Sequence, residues 1–185
     1  MEKVKVGKMS VGASPVIIVG ALVNGKANYL ALGHTGGMSV NPPLVYISAN
    51  KAHYTNAGIK ENGYFSVNIP SKDLEQKTDY VGLVSGKDTD KSKVFTTFYG
   101  SVDKAPMIEE CRVNILCKVI NFVDLPNNEV FIGEIVETYV NKDCTADDKP
   151  DIKKINPIML SAGTYYELGN KAGNAFSDGK ALIGK

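Results

Sequence analysis

Lys51 and Thr55 place an ammonium and a hydroxyl in one short polar segment, Asn50 to Thr55, lying between an apolar run and a helical one. A helix start leaves backbone N–H groups without partners and carries a partial positive charge. A hydroxyl and an ammonium beside such a start are suited to an anion, and this spacing predicts a place to hold a phosphate.

The elements around that segment decide whether it can be held still. Leu44 to Ala49 is a short apolar run that reads as a strand, set off from the preceding loop by Pro42 and Pro43, which cannot donate to a central ladder. Ala57 to Lys60 allows little more than two helical turns, and Asn62-Gly63 stops them. Tyr64 to Ile69 alternates, with Phe65, Val67 and Ile69 on one face, which predicts a half-buried strand. Upstream, Val16 to Val23 and Lys26 to His34 flank Asn24-Gly25 and predict a tight hairpin. Gly33, Gly36 and Gly37 surround His34-Thr35, so a ligand can come close to the backbone there.

Downstream, Ser71 is positioned as the N-cap of a helix carrying Leu74, Thr78, Val81 and Val84, and Ser85-Gly86 ends it. Lys87 to Lys93 is a charge cluster that opens another short helix; taken alone, it reads as solvated surface. Cys111 to Val123 and Glu129 to Val140 predict a second, longer hairpin turning at Asp124 to Asn128. Lys142 to Lys154 reads as an exposed loop or a frayed helix, and the Gly-, Lys- and Ala-rich tail as an arm. Residues 1–185 are therefore expected to form one mainly β domain with short inserted helices. Antiparallel strands joined this way favour a closed or partly open barrel.

Several of these pieces occur in an order similar to that of a known family. NPPLVYISANKAHYT followed by FSVNIP, the Gly-x-x-x-Asp-Lys segment ending at Lys91, Phe131-Ile132-Gly133-Glu134 and Thr164-Tyr165-Tyr166-Glu167-Leu168-Gly169 resemble the flavin reductase-like domain family, which includes the flavoredoxins. The resemblance runs from about Pro15 to Gly179. It implies an FMN-binding split barrel of the antiparallel Greek-key type, usually a homodimer with FMN near the interface. The family often carries a histidine just before the Phe131 strand motif. Here Asn127, Asn128 and Glu129 stand there, a departure that puts a flavin contact from this loop in doubt.

The resemblance also implies a site. Ser48, Lys51, Thr55 and Lys91 are the candidates for the FMN phosphate, which wants hydroxyls, N–H groups and a cation. Asn28, Tyr29, Leu30 and Ala31 on one strand and Ser48, Ala49 and Asn50 on another would line the polar edge of the isoalloxazine. His34 stands where the family often has tryptophan, and Tyr54, Asp90, Tyr165 and Tyr166 complete the expected contacts. Each has a plainer reading. Thr55 fits a helix N-cap as well, Tyr29 and Tyr54 fit core or rim aromatics, and His34 and His53 fit surface or hydrogen-bonded histidines. No residue is expected to act as acid or base, because hydride transfer to a flavin is the cofactor's own chemistry.

Composition narrows the alternatives. A formal net charge of +1 with no basic block argues against a nucleic-acid surface. The longest apolar run, Pro15 to Val23, is about half the ~20 residues that a membrane span needs, and it stops at a turn. Cys111, Cys117 and Cys144 are an odd number without a CxxC pair, which points to reduced thiols and a cytoplasmic protein. The two histidines and three cysteines lack metal-ligand spacing, and no GxGxxG follows a strand. The leading reading is an FMN-dependent oxidoreductase moving hydride or electrons from NAD(P)H to a flavin or other acceptor. The second is a flavoredoxin-type carrier reduced by a protein donor, and the third an FMN-binding protein without turnover.

Overall fold

The computed structural model describes residues 1–8 and 12–183. Its strands are β1 (Ser14–Pro15), β2 (Ile17–Val23), β3 (Lys26–Leu32), β4 (Thr35–Val40), β5 (Pro43–Asn50), β6 (Tyr64–Ile69), β7 (Thr97–Phe98) and β8 (Met107–Ile108). They continue with β9 (Val113–Asp124), β10 (Asn128–Val140), β11 (Thr145–Ala146), β12 (Lys149–Pro150), β13 (Ile158–Ser161) and β14 (Thr164–Glu167). Among the described residues three α-helices, α1 (Thr55–Asn62), α2 (Glu75–Leu83) and α3 (Ile152–Ile155), sit between them.

Seven strands form one sheet in the order β3-β2-β6-β9-β10-β5-β4. Strands β3 and β4 end opposite edges of that order, yet only Gly33 and His34 lie between them in the chain. The sheet must therefore curl until its edges meet, and Ser48 N–H donates to His34 C=O at 2.8 Å, carrying the β4–β5 pairing one step into that link. Closure is partial. The pairing of β4 with β5 runs from Pro43 to Ile47, so the last residues of β5 face β3 across an open seam. This is a mainly β, split-barrel architecture with short inserted helices.

Local chemistry explains the elements. Asn24 and Gly25 both take positive φ, as a two-residue hairpin turn requires. Gly63 caps α1 in the left-handed conformation, its N–H returning to Ile59 C=O. Leu74, Thr78 and Val81 are the buried stripe of the helical segment that packs on β3. The main core fills the barrel with Ile17, Val19, Ile47, Phe65, Val67 and Phe131, and a second cluster of Ile18, Tyr29, Val81, Phe95 and Ile108 lies outside it under α2.

Three expectations change. Tyr64 to Ile69 is not half-buried: β6 is central, and its other face carries buried Ser66 and Asn68. Asn68 donates to Ile18 C=O and accepts from Ile108 N–H and Asn114, so this polar layer is hydrogen-bonded throughout. The glycine-rich stretch after His34 is itself strand β4, held by pairing with β5 despite poor strand propensity. Finally, 142–154 is neither a loop nor a frayed helix but a 3₁₀ turn, a small β11–β12 hairpin and one helical turn, anchored by buried Cys144 and Ile155.

Candidate functional site

The open seam collects the polar segment that ends β5, the N-terminus of α1, the outer edge of β3 and the segment 84–91 that follows α2. Two clefts there share Tyr54, Gly86 and Lys91. One, of about 350 Å³, is lined also by Asn24, Asn28 and Asp90. The other, of about 160 Å³, is lined by Leu30, His53, Thr55 and Ser85.

Thr55 is only 1% exposed and is the first residue of α1. The N-cap position belongs to Tyr54, whose side chain makes no capping bond, so the N-cap reading of Thr55 is corrected. Its hydroxyl oxygen accepts from Asn28 Nδ2 at 2.7 Å, which leaves its proton free to donate. The first N–H groups of α1 have no acceptor within the helix. Gly86 explains how the 84–91 segment approaches so closely: a Cβ there would lie 2.1 Å from Asn28 Oδ1 and 2.7 Å from the Tyr54 ring.

Lys91 is 3% exposed. Its ammonium donates to Val81 C=O at 2.7 Å and Tyr29 C=O at 3.0 Å, spanning the end of α2 and β3. Among the described residues no carboxylate pairs with it. Burial brings its pKa down to about 8. His53 is held below the usual imidazole range by burial first and by the Lys91 charge second.

The remaining candidates divide. Asn28, Leu30, Tyr54, Thr55, Asp90 and Lys91 meet in the paired clefts. Ala31 lies on the same strand. Tyr29 contributes only backbone: its ring is in the core, edge-on to Phe95 with its hydroxyl on Thr97, and burial raises its pKa. Ala49 is likewise buried in the main core. Asn50 builds the loop, its side chain accepting from Ala52 N–H and its carbonyl from His53 N–H.

Asp90 caps the 3₁₀ turn at Lys91–Lys93 through Ser92 N–H and faces Lys26. His34 and Ser48 line a third recess of about 680 Å³ with Tyr46, Leu125, Asn127 and Asn128, where Asn128 Nδ2 donates to Ser48. The β9–β10 turn thus forms one wall of that recess.

Two sets of candidates are placed elsewhere in this chain. Lys51 forms a solvent-exposed ion pair with Asp124 on β9. Tyr165 and Tyr166 sit on the separate β1–β13–β14 sheet, in a recess with Lys72 and Glu75. There Tyr165 donates to Asp79 at 2.9 Å, and Tyr166 is exposed. Sequence reasoning missed Gly86 as a close-approach residue and missed Glu129, a buried carboxylate bonded to Asn56 and Lys60.

Known proteins share this fold. The chain is 44% identical to the flavoredoxin from Methanosarcina acetivorans, over 99% of this chain and 100% of that one, with a TM-score of 0.95. It is 32% identical to the flavoredoxin of Desulfovibrio vulgaris (Miyazaki F), covering 96% and 100% of the two chains at a TM-score of 0.90. An FMN-binding protein from Thermus thermophilus shares the fold at 16% identity, with 94% and 97% covered and a TM-score of 0.79. The family model described as flavin reductase like domain matches residues 9–169. With that match over most of its length, the chain belongs to the flavin reductase-like domain family.

Proposed function

We propose that the chain is an FMN flavoprotein that passes reducing equivalents through a flavin held along the seam. The observation that carries this reading is Lys91, a buried ammonium with two carbonyl partners and, among the described residues, no carboxylate. A buried charge is costly unless paired, and an anionic ligand in the adjoining cleft supplies the pairing. The donor set fits FMN: Lys91 and the Thr55 hydroxyl, at the start of α1, line one cleft, as a phosphate needs.

When bound, FMN supplies a ring that accepts two electrons and a proton and gives them up again. The protein's part is to hold and shield. Thr55, oriented by Asn28, and Lys91 would hold the anionic end, and the backbone of β3 and of residues 48–50 of β5 would hold the ring; Gly86 lets the 84–91 segment that carries Lys91 pack close against Asn28 and Tyr54.

The end-to-end likeness to two flavoredoxins favours a redox protein as electron donor. A second reading, hydride from NAD(P)H, is favoured by the recess at His34, Ser48 and Asn128, which is open and large enough to admit a nicotinamide. Anaerobic stopped-flow mixing separates them. Bleaching by a reduced protein donor, with none by NADH or NADPH, is the result expected for the carrier. Rapid bleaching by either nucleotide would establish the reductase instead.

The reading includes a cytoplasmic homodimer. Ile120, Phe122, Val123 and Leu125 stand exposed at the tip of the β9–β10 ribbon, beside the seam, and Phe176 of the terminal arm is 99% exposed. An apolar surface of this kind fits a partner copy. Light scattering of the FMN-bound protein at micromolar concentration is expected to return a dimer mass; a monomer overturns this part of the reading.

A further inference from the structure

Helix α1 is short, so its N-terminus points wherever neighbouring elements hold it. On one side Gly58 lies against Leu22 C=O, so closely that a Cβ would be 2.0 Å away. On the other side stands Glu129. It is 7% exposed, on β10 opposite Ala49 of β5. Its Oε2 accepts from Asn56 Nδ2 at 2.8 Å, and its Oε1 accepts from Lys60 at 2.8 Å, one helical turn further on. Asn56, 2% exposed, uses the same Nδ2 group to reach Asn50 C=O at 3.0 Å. One carboxylate therefore grips two points of the helix and, through one amide, the end of β5.

An apolar side chain could fill the same space without burying a charge. What a carboxylate adds is direction, because each accepted hydrogen bond fixes a distance and an angle. Direction matters where β5 gives way to α1, since donors to an anion must be placed within a few tenths of an ångström. Glu129 lines none of the described clefts at the seam, so any effect on a ligand there passes through its partners on α1, and of these Asn56 is the one that reaches the 50–55 loop. We infer that Glu129 is a positioning residue, which sets the phosphate-binding geometry of the 50–55 loop and α1 by way of Asn56. The inference rests on the phosphate reading above and names the residue on which that geometry depends.

The test uses the full-length chain stripped of flavin and titrated with FMN and with riboflavin, following quenching of flavin fluorescence. Glu129→Leu removes both hydrogen bonds at similar volume. It is expected to weaken FMN binding about tenfold, the worth of one well-made hydrogen bond, and to leave riboflavin within about twofold. Glu129→Gln keeps an acceptor for Asn56, so FMN affinity is expected to return to near the wild-type value. Asn56→Ala cuts the same link from the loop side, repeats the loss and carries the test if Glu129→Leu does not fold. Equal losses for both ligands, or a change in melting temperature alone, would mean a merely structural role and overturn the inference. A wild-type chain that binds FMN no better than riboflavin overturns the phosphate reading and this inference together. A wild-type preference for FMN that neither Glu129→Leu nor Asn56→Ala reduces overturns this inference alone.

Discussion

The side-chain amide of Asn28 donates to the hydroxyl oxygen of Thr55 at 2.7 Å, tying β3 to the first residue of α1 across the seam. Both residues are buried, so the bond sets the direction of the one remaining hydroxyl proton. Thr55→Ala removes that donor and is expected to weaken FMN binding about tenfold. Riboflavin, which lacks the phosphate, is expected to bind nearly as before. Asn28→Asp turns the donor into an acceptor and brings in a negative charge, so its loss is expected to be larger. Parallel titrations with the two flavins measure both, and a similar drop for riboflavin would show that Thr55 serves the fold or the ring.

Lys91 gives the site a pH signature. Its folded value is about 8, against an ordinary 10.5. Below pH 8 it is charged whether the chain is folded or not, and the cost of burying that charge is fully present. Between pH 8 and 10.5 the folded chain has lost a proton that the unfolded chain keeps, so this group makes the flavin-free protein more stable as pH rises. A bound phosphate draws the proton back, and FMN affinity is expected to fall roughly five- to tenfold between pH 7.5 and 9. Riboflavin affinity is expected to stay level, and Lys91→Gln to flatten the FMN profile. An FMN affinity constant across that window would remove Lys91 from the phosphate end.

Gly86→Ala is expected to be severe for a residue on a surface segment. The added methyl would meet Asn28 Oδ1 and the Tyr54 ring, so the 84–91 segment must back away from β3. Such overpacking costs about 1–3 kcal/mol, and FMN binding should drop with it because Lys91 is on the displaced segment. Thermal melts with and without flavin check this; a variant with wild-type stability and affinity would show that the segment adjusts freely.

Much of the fold could be read in the sequence because its hairpins are local. Asn24-Gly25 and the Asp124 to Asn128 turn each announce a strand pair, and Asn62-Gly63 announces the end of α1. Strand β4 was hidden because TGGMSV has little intrinsic strand character and owes its form to its neighbour. The buried polar layer on β6 was hidden because alternation reveals the apolar face and leaves the other unmarked. The segment order of the site was legible, but partner choice was not. Lys51 could have faced the α1 start, yet Asp124 lies 73 positions on in the chain and close in space. The Glu129–Asn56 link spans the same separation and has no local signal at all.

The thiols supply an independent check of the interior. Cys111 and Cys117 are wholly buried, and burial pushes both upward, Cys117 to about 12. In the native protein neither is expected to react with a disulfide thiol reagent over minutes, whereas all three cysteines should react once the chain is unfolded in denaturant. Rapid native labelling of Cys117 would mean that the barrel opens far more often than its packing implies.

The strand order has a kinetic consequence. Three hairpins, β2–β3, β4–β5 and β9–β10, join near neighbours in the chain, and each is cheap to close. The pairing of β5 with β10 instead brings Asn50 to Asn128. Such a distant contact loses more chain entropy and forms late, after local structure has shortened the effective loop. The seam lies along β5, so the flavin's binding place is expected to be among the last features assembled during refolding. Far-UV circular dichroism should then recover ahead of flavin quenching. Added FMN should slow unfolding while leaving the early folding phases unchanged.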